Sequence, residues 1–260
     1  MATVSDSDAT HGETGAAADR GALRILTLNA HQGCGSLRRR ALLLGIRDAL
    51  RASAADLVFL QEVGGSVDRE GVTEDHCETL ADEVWSQHAY GRNAVAGSGH
   101  QGNALLSKHP IVRWQNVDVS VGGAEPRGLL HCVIDVEGRP HPLHAVCVHL
   151  GLRESHRRHQ VDRLVALIAR EVPSDAPLLV AGDFNDWRER AHHRILAETG
   201  MDEIGSTALE SPARTFPAWW PMLRLDRIYV RNLRHRLLEV PRRPWSALSD
   251  HVPLAGEVRM

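Results

Sequence analysis

The chain has 260 residues, of which 43% are apolar, 24% charged and 4% aromatic, which excludes a disordered, collagen-like or low-complexity protein. Its formal charge is −3, and the acidic excess lies within residues 1–20, where Asp6, Asp8, Glu13 and Asp19 stand against Arg20 alone. The balanced remainder argues against indiscriminate nucleic-acid binding. No apolar run approaches about 18 residues, and the N-terminus lacks a basic start followed by an apolar stretch, so a cytoplasmic chain without a transmembrane segment is expected. Cys34, Cys77, Cys132 and Cys147 form no CxxC pair and read as reduced thiols. The 16 histidines form no HExxH or paired Cys/His spacing, so no closed zinc site is expected.

Residues 1–20, rich in Ala, Ser, Thr, Asp and Gly, read as a flexible acidic tail, and residues 21–260 as a single domain. The β-prone run 23–28 ends in the polar loop from Asn29 to Gly33. Leu42, Leu43, Ile46, Ala49 and Leu50 recur at helical spacing, and 56–60 then reads as a buried strand running into Gln61 and Glu62. A second helix is expected with Thr73 as its N-cap and Cys77, Leu80, Ala81, Val84 and Trp85 on one face. A third follows Ser155, with Val161, Leu164, Val165 and Ile168 inward. Further strands are expected at 104–106, 111–119, 129–136, 143–150, 178–181, 228–230 and 252–258. Strands outnumber helices without regular βαβ alternation, which suggests two sheets packed face to face with helices outside.

Three apolar strands end abruptly in acidic or amide residues: LVFLQE, LLVAGDFND and RLDRIYV. Carboxylates on the ends of buried strands are rigidly held, and several brought together make an oxygen-rich cluster suited to Mg²⁺ or Mn²⁺. Glu62, Asp183, Asn185 and Asp226 are the candidates, each of which taken alone also fits an ordinary strand end, turn or surface pair. Near the C-terminus Ser249, Asp250 and His251 stand at a strand entrance, and Asn29 and His149 at strand ends.

Six segments in this order resemble the endonuclease/exonuclease/phosphatase superfamily of metal-dependent hydrolases with the DNase I-like fold: LTLNAHQG, LVFLQEV, GNALLSKHPI, VHLGL, AGDFND, and RLDRIYV followed by LSDHVPL. The resemblance implies a four-layered α/β sandwich of two packed, mostly antiparallel sheets flanked by helices, with the site at one end. It implies Glu62 as principal Mg²⁺ ligand, with Asn29 and Asp250 as direct or water-mediated contacts. Asp183 resembles the residue that orients or deprotonates the attacking water, Asn185 the one that positions water or phosphate, and Asp226 the partner of His251. His149 resembles the second histidine near the phosphate oxygens. Either Asp183 or a neutral His251 fits the base.

The activity so implied is phosphodiester hydrolysis, on a nucleic acid or a phospholipid head group. The alternatives are a phosphomonoesterase acting on an inositol-phosphate-like substrate, or a non-catalytic binding protein. Trp219 and Trp220, just before Asp226, fit either a substrate-binding surface that stacks a base or touches a lipid, or packing over the sheet end. Their loop resembles, at greater spacing, the Pro-Ala-Trp-Cys-Asp-Arg motif of inositol polyphosphate phosphatases. Residues 222–243 hold seven arginines against two acids, a phosphate track or a solvated face. Arg153, Arg157 and Arg158, at the start of the third helix, are placed to bind substrate phosphate.

Overall fold

The computed structural model describes residues 21–30, 36–67, 73–81, 84–96, 99–123, 125–206 and 213–260. The acidic tail 1–20 and Cys34 lie outside them.

The run ending at Asn29 forms β1 (Ala22–Asn29), whose inward side chains are Ile25 and Leu23. Helix α1 (Ser36–Ser53) buries Leu43, Ile46, Ala49 and Leu50 on the outer face of the first sheet. It leads into β2 (Leu57–Val67), which runs parallel to β1 with Asn29 opposite Gln61. The short β3 (Thr73–Asp75) pairs with β2 and precedes α2 (His76–Ala81). Thr73 is therefore a strand residue and not the helix N-cap expected, although Cys77, Leu80, Ala81 and Trp85 are buried together as their spacing requires.

The first sheet is completed by β4 (Gln87–Ala96), β5 (Gly99–Ser107), β12 (Arg234–Leu238) and β13 (Leu254–Arg259), in the order β12-β13-β1-β2-β5-β4 with β3 beside β2. The second contains β6 (Ile111–Asp118), β7 (Gly128–Ile134), β8 (Leu143–His149), β9 (Leu178–Asp183), β10 (Asp202–Glu203) and β11 (Asp226–Arg231), in the order β10-β11-β9-β8-β7-β6. Helices α3 (Glu154–Glu171) and α4 (Arg190–Thr199) cover its outer face through Val161, Leu164, Ile168 and Ile195. Between the sheets lies an apolar layer that includes Ile25, Phe59, Leu105, Leu130, Leu179 and Ile228. This is the expected four-layered sandwich, and β1–β2 and β8–β9 are its two parallel strand pairs. Among the described residues no helix is long and apolar enough to cross a membrane.

Those parallel pairs position the site. The carboxyl ends of β1 and β2 point the same way, as do those of β8 and β9, where His149 lies opposite Asp183. Because β11 is antiparallel to β9, its first residue, Asp226, lies opposite Asp183. β13 is antiparallel to β1, so the chain entering it brings Asp250 and His251 to the same end.

On the outer face of the second sheet, the stacked rings of His131 and His144 are buried, with a 3.0 Å contact between Nε2 of the first and Nδ1 of the second. Burial, and then the neighbouring His144, push His131 down to about 4. The unfolded chain takes up this proton near the ordinary histidine value of about 6.5, so acidification below that value favours unfolding until the folded protein is itself protonated. Stability is expected to fall by on the order of 3 kcal/mol between those two pH values from this group. Urea denaturation across that range should show the loss, and His131→Leu combined with His144→Leu should flatten it.

Candidate active site

Glu62 sits at an irregularity in the β2–β5 register, between Leu60 and Val63, with a left-handed φ of 58°. A non-glycine residue in this region is strained, and a bulge re-aims its side chain away from the regular pleat. Glu62 Oε1 accepts a 3.2 Å hydrogen bond from Asn29 Nδ2, and Oε2 one of 3.2 Å from Gln101 Nε2. The same Asn29 amide donates at 3.1 Å to Asp183 Oδ2 on the opposing sheet. His149 Nε2 faces both carboxylates, 3.8 Å from Glu62 Oε1 and 3.6 Å from Asp183 Oδ2.

Asp183 is buried, and its Oδ1 accepts a 2.9 Å hydrogen bond from the backbone N–H of Asn185. Asn185 adopts φ 49° and spends its side-chain N–H on Leu150 O at 2.9 Å, so it reaches the site through Asp183 and the end of the His149 strand. Burial, and then the Asp226 carboxylate, push Asp183 up to about 7. Gly182, the residue before it, has φ 149°, and a Cβ there would collide with the backbone oxygen of Val148. Only glycine lets β9 approach β8 this closely.

His251 Nδ1 and Asp226 Oδ2 are 2.7 Å apart, and His251 Nε2 lies 3.9 Å from Asp183 Oδ2. Burial alone would lower the imidazole's pKa. The carboxylates of Asp226, Asp183 and Asp250 overcome it and raise His251 to about 10, so the ring is an imidazolium at neutral pH. Phe216 packs against it at 5.0 Å between ring centres. Ser249 Oγ donates to Asn29 O at 2.7 Å and accepts from the His251 backbone N–H at 3.1 Å, tying the histidine loop to β1. Asp250 is exposed beside the ring, and its backbone oxygen accepts from Ala218 N–H at 2.7 Å.

The eight residues expected from the sequence to act on water, metal or phosphate thus converge at one end of the two sheets. Those expected to bind substrate do not all follow. Arg157 is only 2% exposed. Its guanidinium donates to Gly151 O at 3.1 Å, Leu152 O at 2.6 Å and Glu154 at 2.8 Å, with Nε 3.9 Å from Asp186. It staples the His149 loop to the Asp183 loop and has no free face for a phosphate. Arg153 remains exposed as the N-cap residue of α3, and Arg158 is also exposed.

The arginines of 222–243 do not form one track either. Arg227 is buried against Glu203, Arg224 bonds Glu189 and Glu203, and Arg236 pairs with Glu257. Trp219 and Trp220 are 71% and 62% exposed, so they do not pack over the sheet end. Three residues not singled out from the sequence, Gln101, Asn103 and Arg127, line a cleft of about 250 Å³ with Glu62 and His149. The glycine and asparagine in the GNALL segment were the available signal for Asn103.

The donors fit a hard divalent cation. Glu62 and Asp183 share one amide donor, and Asp226 adds a third carboxylate. The buried Asn103 Oδ1 in the same cleft has no hydrogen-bond partner, leaving a spare oxygen donor. Among the described residues no three His, Cys, Asp or Glu side chains close on one point.

A face-to-face sandwich with carboxylates, amides and histidines gathered at one end defines the DNase I-like class. A family model described as the Endonuclease/Exonuclease/phosphatase family matches residues 26–251, and the chain belongs to that family. It is 47% identical over 244 residues to the uncharacterized protein YbhP of Escherichia coli K12, covering 91% of this chain and 96% of that one. Among solved structures it is similar to an endonuclease/exonuclease/phosphatase from Bacteroides vulgatus, with TM-score 0.73 and 18% identity, covering 92% and 99% of the two chains. It is also similar to the human Nocturnin catalytic domain with bound sulfate, with TM-score 0.72 and 20% identity over 92% and 93%.

Two variants probe this geometry. Replacing Asp226 by Asn removes the carboxylate beside Nδ1, and NMR titration of the His251 ring should show its pKa falling from about 10 toward the ordinary histidine range. Gly182→Ala should destabilise the fold by about 3 kcal/mol or more, read as a lowered denaturation midpoint, because the new methyl meets backbone on β8.

Proposed function

We propose that residues 21–260 act as one divalent-metal-dependent phosphoesterase domain that hydrolyses phosphodiesters by attack of water. Mg²⁺ is the proposed ion, with Mn²⁺ as a substitute. The observation that carries the reading is the disposition of Asp183 between an amide donor and an imidazolium: Asn29 holds one oxygen at 3.1 Å, and His251, itself fixed by Asp226, faces it at 3.9 Å.

In this reading Glu62 holds the ion, with Asn29 and Asp250 as direct or water-mediated contacts. Bound there, the ion would neutralise charge on the phosphate oxygens as a Lewis acid. Asp183 orients the attacking water and accepts its proton. Its burial beside Asp226 gives it the affinity a base needs near neutrality. His251 is the less suitable base, because Nδ1 is committed to Asp226 and the ring already holds both protons. It instead donates from Nε2 to a phosphate oxygen and stabilises the charge that develops there as the bond from phosphorus to the leaving oxygen breaks. That oxygen departs as an alcohol protonated from solvent or as a stabilised anion. His149 approaches from the other side, with Nε2 toward the same carboxylates. Asn185 positions Asp183 through its backbone N–H.

Hydrolysis of bis-(p-nitrophenyl) phosphate beside p-nitrophenyl phosphate, with and without Mg²⁺ or Mn²⁺, tests the reading. Metal-dependent diester cleavage is expected, with kcat reduced about a hundredfold to ten-thousandfold in Asp183→Ala and His251→Ala while circular dichroism stays native. Preference for the monoester would move the assignment to a phosphomonoesterase. Silence on both substrates and on a nucleic-acid and phospholipid panel would favour a binding protein.

A further inference from the structure

Ten large apolar side chains are exposed among the described residues, and six of them stand beside the candidate site in three separate segments. Leu152 lies three residues beyond His149, Trp187 two beyond Asn185, and Trp219, Trp220, Met222 and Leu223 shortly before Asp226. Contacts join these segments into one rim. Arg157 bonds Leu152 O at 2.6 Å and lies 4.9 Å from the Trp187 ring centre. Phe184 N–H donates to Leu225 O at 2.8 Å, linking the Trp187 loop to the Trp219 loop. The latter is anchored to the site by Phe216 against His251 and by Ala218 on Asp250. Large exposed apolar side chains gathered on linked loops of this kind mark an interaction site.

Each part of the rim carries an exposed cation. Arg153 follows Leu152, Arg188 follows Trp187, and Arg242 donates to Trp219 O at 3.0 Å, with Arg243 next to it. Indole, thioether and branched aliphatic groups with arginines among them match the boundary of an anionic bilayer. There, apolar groups enter the acyl region, tryptophan sits at the head-group level and arginine meets lipid phosphate. A single-stranded nucleic acid would use the tryptophans for stacking but gains little from Leu152, Met222 and Leu223.

We propose that this rim docks the protein on an anionic lipid surface, with the mouth of the site turned toward the membrane. The docking goes beyond the hydrolase reading and does not depend on it.

The test is co-sedimentation of the full chain with phosphatidylcholine vesicles containing about one third phosphatidylglycerol, against phosphatidylcholine alone. The protein is expected to pellet with the anionic vesicles, less so as salt rises. Trp219→Ser combined with Trp220→Ser should weaken binding about tenfold or more, and Arg188→Gln and Arg243→Gln about fivefold each. All four side chains are exposed, and circular dichroism checks that the variants fold. Absence of vesicle binding, or binding indifferent to the two tryptophans, overturns the proposal. So does tryptophan-dependent binding of a labelled oligo-dT strand without vesicle binding, which would assign the rim to base stacking. Asp183→Ala should bind vesicles like the parent chain. Hydrolysis of a soluble diester without vesicle binding removes the docking alone, and vesicle binding without any hydrolysis upholds the docking and removes the hydrolase reading.

Discussion

One side-chain amide joins the two halves of the molecule. Asn29, at the end of β1 in the first sheet, donates from a single nitrogen to Glu62 in its own sheet and to Asp183 in the other. Both carboxylates repel each other at close range, and burial makes that repulsion stronger than in water. The shared donor, with His149 beyond it, offsets part of the cost. Asp183 is raised to about 7 by its own burial and then by the Asp226 carboxylate beside it. A cation at this place would complete the charge balance that the buried carboxylates leave open.

The topology makes this meeting possible. Chains can end side by side only where strands run parallel, and β1–β2 and β8–β9 supply that arrangement once in each sheet. Three departures from regular structure lie at this end: φ 58° at Glu62, φ 49° at Asn185, and a glycine at 182 where no Cβ fits. Strain at such positions persists because regular strands on both sides determine where these residues sit.

Much of this was legible in the sequence because buried strands are short apolar runs, and a carboxylate or amide that ends such a run is conspicuous. Asn29, Glu62 and Asp183 are of this type, and Asp226 stands instead at the start of its strand. What escaped was built from weaker patterns. Gln87–Ala96 forms a full strand, yet its sequence has few large apolar residues because it lies at the sheet edge. Arg234–Leu238 is an edge strand at the opposite side and mostly exposed or half-exposed. Helix Arg190–Thr199 presents only a narrow apolar stripe, with a buried His192 in it. The bulge at Glu62 has no local sequence signal, since it arises from the register with β5.

The arginines illustrate a limit of another kind. Arg157 and Arg227 look in sequence like phosphate ligands, and both are buried in a network with Asp186, Glu154 and Glu203. Arginine suits this use because its planar fork bonds several oxygens at fixed angles. Buried ion pairs add little net stability, since desolvation cancels much of their attraction. Their effect here is geometric: Asp186 is three residues from Asp183, and the network fixes the loop between β9 and α4 from behind. Cations committed to that task cannot also reach out from the site, whereas Arg153 and Arg158 remain exposed and Arg127 lines the cleft beside Glu62.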